Sequence, residues 1–305
     1  MNRPTAWKYK IKENKIHTIK MEQFNLLVQE EYGKFAERKS TQFKVKKSKI
    51  AEHKKIFSLE SANEGLGGDY SLIFTNKWNE KISATLDGEK VENSPQKKEY
   101  HTFFFDSQTE DMYFTKANFL YKWPHTFIGH FDSLTWGIEK YKGEIFVALY
   151  DDGKIVNSRG KIEYNLLREP SMIATFQDEI YCTEKRGLIK MPDKIIKQTG
   201  LWASGLCRLD GRLYFGGKDR IIYSYDGKKV ELVCNVGFPI WCLGGIKEKN
   251  GNLLYCGGHN KKGVEVINLS NLEKRKTILE DKISNILSIT CVPIKFCEDF
   301  IKKIK

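Results

Sequence analysis

No run of about 18 apolar residues occurs in the 305-residue chain, so no membrane-spanning helix is expected. The opening stretch, Met1 to Lys10, lacks the apolar core of a secretory signal. The seven cysteines (182, 207, 234, 242, 256, 291 and 297) are odd in number and include no C-x-x-C pair. Several sit inside strand-like runs, where a thiol behaves as a small buried hydrophobe. A reducing, cytoplasmic setting is the simplest expectation. Catalytic signatures are also missing: there is no G-x4-G-K-[ST], no H-E-x-x-H and no G-x-S-x-G. The glycine-rich stretch Gly65 to Tyr70 fails G-x-G-x-x-G spacing and leads into a strand pattern instead of a helix. No cofactor and no metal are therefore expected.

Charge is present and unevenly placed. The chain carries a formal net charge of +12. Residues 1–55 hold fifteen Lys or Arg against six Asp or Glu, and the remaining 250 residues hold 36 against 33. A basic segment thus precedes a nearly neutral body, and a phosphate-rich or acidic partner would satisfy it. Within that segment residues 6–20 alternate Trp7, Tyr9 and Ile11 with lysines, the pattern of a half-buried hairpin. Residues 21–38 place Phe24, Leu27, Val28, Tyr32 and Phe35 on one helical stripe. A further strand is expected at Gln42–Val45. The domain division follows: residues 1–55 as a basic hairpin and helix, residues 56–305 as the body.

The body is a repeat. Trp202 to Gly217 overlays Trp241 to Gly258, and each copy continues into two more short apolar segments, giving four strands per copy. Four earlier units of the same kind begin near residues 56, 102, 134 and 172. Glu110, Gly143, Asp178, Gly211 and Gly251 occupy equivalent turns, spaced by 33, 35, 33 and 40 residues. Lys142-Gly143 and Asp210-Gly211 have the chemistry of hairpin turns that need positive φ. Gly137, Gly205 and Gly244 open the innermost strands, where crowding would disfavour a Cβ. After the sixth unit one strand remains, Ile286–Val292, followed by an amphipathic tail at Lys295–Ile304.

Four antiparallel strands recurring about every 33–45 residues resemble the β-propeller superfold. The likeness is to WD40- and kelch-type blades in general, without the Gly-His and Trp-Asp pairing of the former. It implies an all-β ring of six to seven four-stranded blades with a short N-terminal helix, closed by N- and C-terminal strands. In one arrangement the last strand joins the N-terminal hairpin and Gln42–Val45 as a split seventh blade; six blades is the other. Propellers host enzymes and scaffolds alike, so no activity comes with the fold.

Loops running from one blade's outer strand to the next blade's inner strand cluster at one channel end, the default binding surface. They carry His101, His130, Asp132, Glu169, Trp202, Trp241 and Asn285. A hydrolase or lyase would draw acid–base groups from His101, His130, Asp132 and Glu169. The spacing His125-x4-His130-x-Asp132 invites a metal reading only if the three converge. A carbohydrate-binding lectin would stack its ligand on Trp202 and Trp241, and Asn285 is a further candidate for ligand binding. Lys8, Lys10, Lys44, Lys46, Lys47 and Lys49, interleaved with aromatics, are suited to single-stranded nucleic acid. The reading that accommodates most of these features is a non-catalytic interaction module. Its channel-end loops and basic segment would bind nucleic acid or an acidic protein surface.

Overall fold

The computed structural model describes residues 70–76, 82–85, 92–93, 100–165, 167–199, 202–247, 251–280 and 282–304. The expected hairpin at 6–20, helix at 21–38, strand at 42–45, domain division at residue 55 and strand at Ile56–Glu60 lie outside them.

The described strands form six antiparallel sheets of four. Blade 1 contains β1 (Tyr70–Asn76), β2 (Ile82–Thr85) and β3 (Glu92–Asn93). Blade 2 runs β4 (Tyr100–Asp106), β5 (Asp111–Lys116), β6 (Phe119–Lys122) and β7 (Thr126–His130). Blade 3 follows with β8 (Thr135–Tyr141), β9 (Glu144–Leu149), β10 (Lys154–Asn157) and β11 (Ile162–Tyr164). Blade 4 has β12 (Ile173–Phe176), β13 (Glu179–Glu184), β14 (Gly187–Lys190) and β15 (Lys194–Gln198). Blade 5 has β16 (Ala203–Leu209), β17 (Arg212–Gly217), β18 (Ile221–Tyr225) and β19 (Val230–Asn235). Blade 6 has β20 (Ile240–Ile246), β21 (Leu253–Gly258), β22 (Val264–Asn268) and β23 (Arg275–Ile278).

The last strand, β24 (Ile286–Pro293), pairs with β1 through Tyr70↔Pro293 to Asn76↔Ile286 and takes the inner place of blade 1. This settles the blade count at six. The pairing that a split seventh blade would need is already used by β1. The inner strands β24, β4, β8, β12, β16 and β20 pack on one another in a closed cycle.

Short hairpins follow from residues that tolerate positive φ. Lys142-Gly143 (φ 49° and 82°), Gln177-Asp178 (50° and 58°) and Asp210-Gly211 (46° and 73°) each bridge a two-residue turn. Both central residues are left-handed, as the twist of a tight hairpin demands.

The core lies between blades. Six apolar clusters occupy the six blade–blade interfaces, one per neighbouring pair. Tyr113, Phe146, Tyr181, Tyr214 and Tyr255 hold one equivalent place on the second strands of blades 2 to 6, all buried. Each such ring contributes roughly 1.5–3 kcal/mol of burial. Helix α1 (Ile294–Ile304) leaves β24 directly and lays Cys297, Phe300 and Ile301 over the interface of blades 1 and 2. Phe300 packs 4.5 Å from Trp123, and Phe296 packs 4.8 Å from Phe105, centroid to centroid. The seven cysteines are free. Burial pushes the thiols of Cys291 and Cys297 up to about 12, which leaves them protonated and inert.

The inner-strand glycines are crowded by neighbouring blades. A Cβ on Gly137 would stand 2.3 Å from the Ser171 carbonyl oxygen, and one on Gly205 2.9 Å from Ile240 Cγ2. Gly137 and Gly205 share one register position, while Gly244 lies two residues deeper in its strand. Gly137→Ala should therefore lower stability by about 1–3 kcal/mol through overpacking against backbone. Gly143→Ala, at a turn with open space around it, should cost about 1 kcal/mol or less through strained φ alone. Urea unfolding of both variants checks the order, and equal losses would contradict the crowding argument.

Candidate functional site

The first residues of each inner strand determine one end of the channel. In blades 1, 2, 3, 5 and 6 the pairing of first and second strands slips by one residue near that end, a β-bulge. Bulges re-aim a side chain out of the ladder. The bulged position holds His101 in blade 2, Trp136 in blade 3, Ser204 in blade 5 and Trp241 in blade 6. Trp202 precedes this position by two residues and corresponds to Pro239. The strand register thus corrects the overlay of Trp202 on Trp241.

The bulges of blades 2 and 3 bring His101 and Trp136 together, and Tyr150 and Trp202 extend the pair. His101 lies 5.8 Å from Trp136, Trp136 lies 5.3 Å from Tyr150, and Tyr150 lies 5.4 Å from Trp202. These four half-buried rings form one arc across three blades. The Lys218 ammonium sits 4.8 Å from the Trp202 ring centre, a cation–π contact. Trp202 Nε1 donates to Ser171 Oγ (3.2 Å), and His101 Nδ1 lies 3.1 Å from the Thr135 carbonyl oxygen. Tyr150 donates its hydroxyl proton to Glu169 (3.2 Å), which also receives Lys185 (3.4 Å). Buried Glu184 fastens the adjoining loop. Its carboxylate accepts from the Arg168 and Arg186 amides and from the Arg186 guanidinium.

Of the expected residues, His101, Glu169 and Trp202 thus meet in one arc. Trp136, Tyr150 and Lys218 join them without having been singled out from the sequence. Trp136 was findable, since it stands 35 residues after His101, one repeat apart. His130 is exposed on the outer strand of blade 2, 2.8 Å from Asn118 Nδ2. Asp132 is exposed in the following loop. His125 and His130 flank opposite ends of β7, roughly 16 Å apart by strand rise, so the three-ligand spacing does not converge. Among the described residues no cluster of three or more His, Cys, Asp or Glu could hold a metal. Trp241 packs on His259 at 4.9 Å. Asn285 is buried, and its Oδ1 accepts the Asn260 amide (2.8 Å). The lysines 8, 10, 44, 46, 47 and 49 lie outside the described residues.

The opposite channel end carries the turns between first and second strands, two residues long in blades 3, 4 and 5. A 530 Å³ mouth is lined by turn residues such as Gln108, Lys142 and Asp178, and by Glu139 and Arg208 at its base. A 220 Å³ cavity continues along the inner strands. Glu139 is 8% exposed. Its Oε1 accepts from the Lys140 amide (3.1 Å) and the Thr175 hydroxyl (3.2 Å). Arg208 donates to the same Thr175 hydroxyl (3.2 Å) and to the Thr175 carbonyl (3.1 Å). Burial pushes the Glu139 carboxyl up to about 7, against the opposing pull of Arg208 and of these hydrogen bonds. Nearby, Lys140 pairs with Asp106, and the charge-assisted bonds hold the Asp106 carboxyl below its usual range despite burial.

No protein-family model matches this chain, and no curated protein matches it. Among solved structures, a chain of a nidogen/laminin complex is similar over 73% of this chain and 98% of that one. That match has 16% identity and a TM-score of 0.58. A protein of unknown function from Bacteroides caccae is similar over 73% and 99%, with 12% identity and a TM-score of 0.55. The WD40 β-propeller domain of Doa1 is similar over 70% and 80%, with 14% identity and a TM-score of 0.49. At these identities the likeness is one of fold alone; the closed ring of six four-stranded sheets is itself what makes this chain a β-propeller. No helix among the described residues is long and apolar enough to cross a membrane.

The buried Glu139 has a consequence for stability. A carboxyl raised on folding binds more protons in the native than in the unfolded chain between the two pKa values. Its favourable contribution is complete below about pH 4.5 and is lost as pH rises towards about 7. Glu139→Gln keeps the hydrogen-bonding shape and removes the titration. The melting temperature of this variant relative to wild type should rise between about pH 5 and about pH 8. At the upper end the gain should reach at most a few kcal/mol. A difference that stays flat across that range would mean that Glu139 ionises normally.

Proposed function

We propose that this propeller is a non-catalytic interaction module whose partner is single-stranded nucleic acid. The arc of His101, Trp136, Tyr150 and Trp202 is the observation that carries the reading. Ring faces in sequence across neighbouring blades suit unstacked bases, and Lys218 adds a cation at the end of the row. The fifteen basic residues of positions 1–55, Lys8, Lys10, Lys44, Lys46, Lys47 and Lys49 among them, would supply phosphate attraction. Their excess of lysine over arginine favours diffuse charge over base readout. Acid–base chemistry is less well served at this end. Trp136 and Tyr150 stand between His101 and Glu169, and His130 sits apart on the outer strand. The other partner that the same charge would fit, an acidic protein surface, is an outcome of the test.

Anisotropy of labelled single-stranded RNA and DNA across a salt series checks this reading. Affinity should fall steeply with salt. Lys44→Glu, Lys46→Glu, Lys47→Glu and Lys49→Glu together should flatten the slope by about 0.7 for each phosphate no longer neutralised. Trp136→Ala should weaken binding by about 1–3 kcal/mol while leaving the slope unchanged. Absence of binding at low salt would exclude nucleic acid. Binding of poly-glutamate with the same lysine dependence would make the partner an acidic protein.

A further inference from the structure

The hairpin end of the channel holds two charged groups, buried Glu139 and exposed Arg208, that make no direct ion pair among the described residues. Glu139 is more than nine-tenths buried, and its carboxylate is held by the Lys140 amide and by Thr175. It nonetheless lines both the mouth and the inner cavity. Arg208 lines the same two cavities. Its Nη1 is engaged by Thr175, while Nε and Nη2 donate to no described group, and no described carboxylate lies within ion-pair distance. Both charges lie 3.2 Å from one hydroxyl, Thr175 Oγ1, so they are a single hydroxyl apart. The other cations at the mouth are occupied, Lys140 by Asp106 and Lys142 by the Tyr141 ring.

We propose that this mouth binds a free α-amino acid, its ammonium on Glu139 and its carboxylate on Arg208. An α-amino acid carries opposite charges one carbon apart, which matches an acceptor and a guanidinium set about a common hydroxyl. A guanidinium presents two parallel donors to a carboxylate. An ammonium against a desolvated carboxylate restores the charged form that burial disfavours. The 530 Å³ mouth leaves room for the side chain, with Phe105, Tyr141 and Phe176 on its walls. Binding at neutral pH should release a proton from Glu139. The site lies at the end of the channel opposite the aromatic arc and does not depend on the reading of that arc.

Isothermal titration of the full chain with each common α-amino acid, up to about 10 mM, tests the site. At least one should bind, with heats that depend on the ionisation enthalpy of the buffer. N-acetylation of the ligand and Glu139→Gln should each weaken binding at least about tenfold. Amidation of the ligand and Arg208→Met should do the same for the carboxylate half. Circular dichroism checks that both variants fold; if Arg208→Met does not, the amide ligand carries that arm. Failure of every amino acid to bind, or equal binding of the blocked derivatives, would overturn the proposal.

Discussion

The pairing of β24 with β1 is the contact on which the rest of this molecule depends. A four-stranded blade has two apolar faces and cannot cover either alone, so each blade borrows its neighbours. The last blade can do so only if the first is complete, and the first lacks an inner strand until Ile286–Pro293 supplies it. The bond joins residues more than 200 positions apart, so its entropic cost comes late and is offset only once all six interfaces form. It also brings α1 to the hairpin end, where Phe296 and Phe300 reach blade 2 through Phe105 and Trp123.

Closure gives the channel two ends with different chemistry, and both differences are local. At one end a one-residue slip in most blades swings the second inner-strand residue out of the ladder. That position sets His101 beside Trp136 in neighbouring blades, and Tyr150 and Trp202, from outside the bulge, lengthen the pair into a row. At the other end the turns between first and second strands surround the mouth, and Phe105, Tyr141 and Phe176 line it together with polar turn residues.

Much of the architecture was legible because it repeats. Gly143 and Gly211 marked turns whose positive φ the structure bears out, and the recurrence near 33–40 residues marked the four-stranded blades while leaving six or seven open. The expected amphipathic tail is helix α1. The fate of the surplus strand was harder to read. A strand pattern states that one face is buried, not which edge it joins, and both closures matched the hydrophobic alternation of Ile286–Val292. Trp202 and Trp241 fall out of step for a different reason: two residues join β16 to β17 and six join β20 to β21, and a sequence overlay absorbs only part of that difference. The arc was half visible: His101, Glu169 and Trp202 sat in the loops expected to converge, but the rings linking them come from a bulge and from the turn after β9. Glu139 and Arg208 read as ordinary charged residues of a strand, since nothing in sequence distinguishes a charge facing solvent from one facing a channel.

The place of Glu139 in the repeat bears on why it is there. Strand register sets Phe104, Ala174, Cys207, Gly244 and Thr290 at the same position in the other five blades. None is charged, so the ring forms at that layer without a carboxylate. A buried carboxyl raised to about 7 costs stability at neutral pH, and the pull of Arg208 with the hydrogen bonds from Thr175 and Lys140 offsets that only in part. Architecture therefore does not account for this residue. The same comparison for Arg208 gives Phe105, Lys140, Thr175, Gly245 and Cys291, a position where the ring imposes no chemistry. Glu139, a departure from the repeat, and Arg208, on inner strands separated only by Thr175, share one hydroxyl and line one cavity. Stability gains nothing from that coincidence, whereas a ligand with complementary charges would.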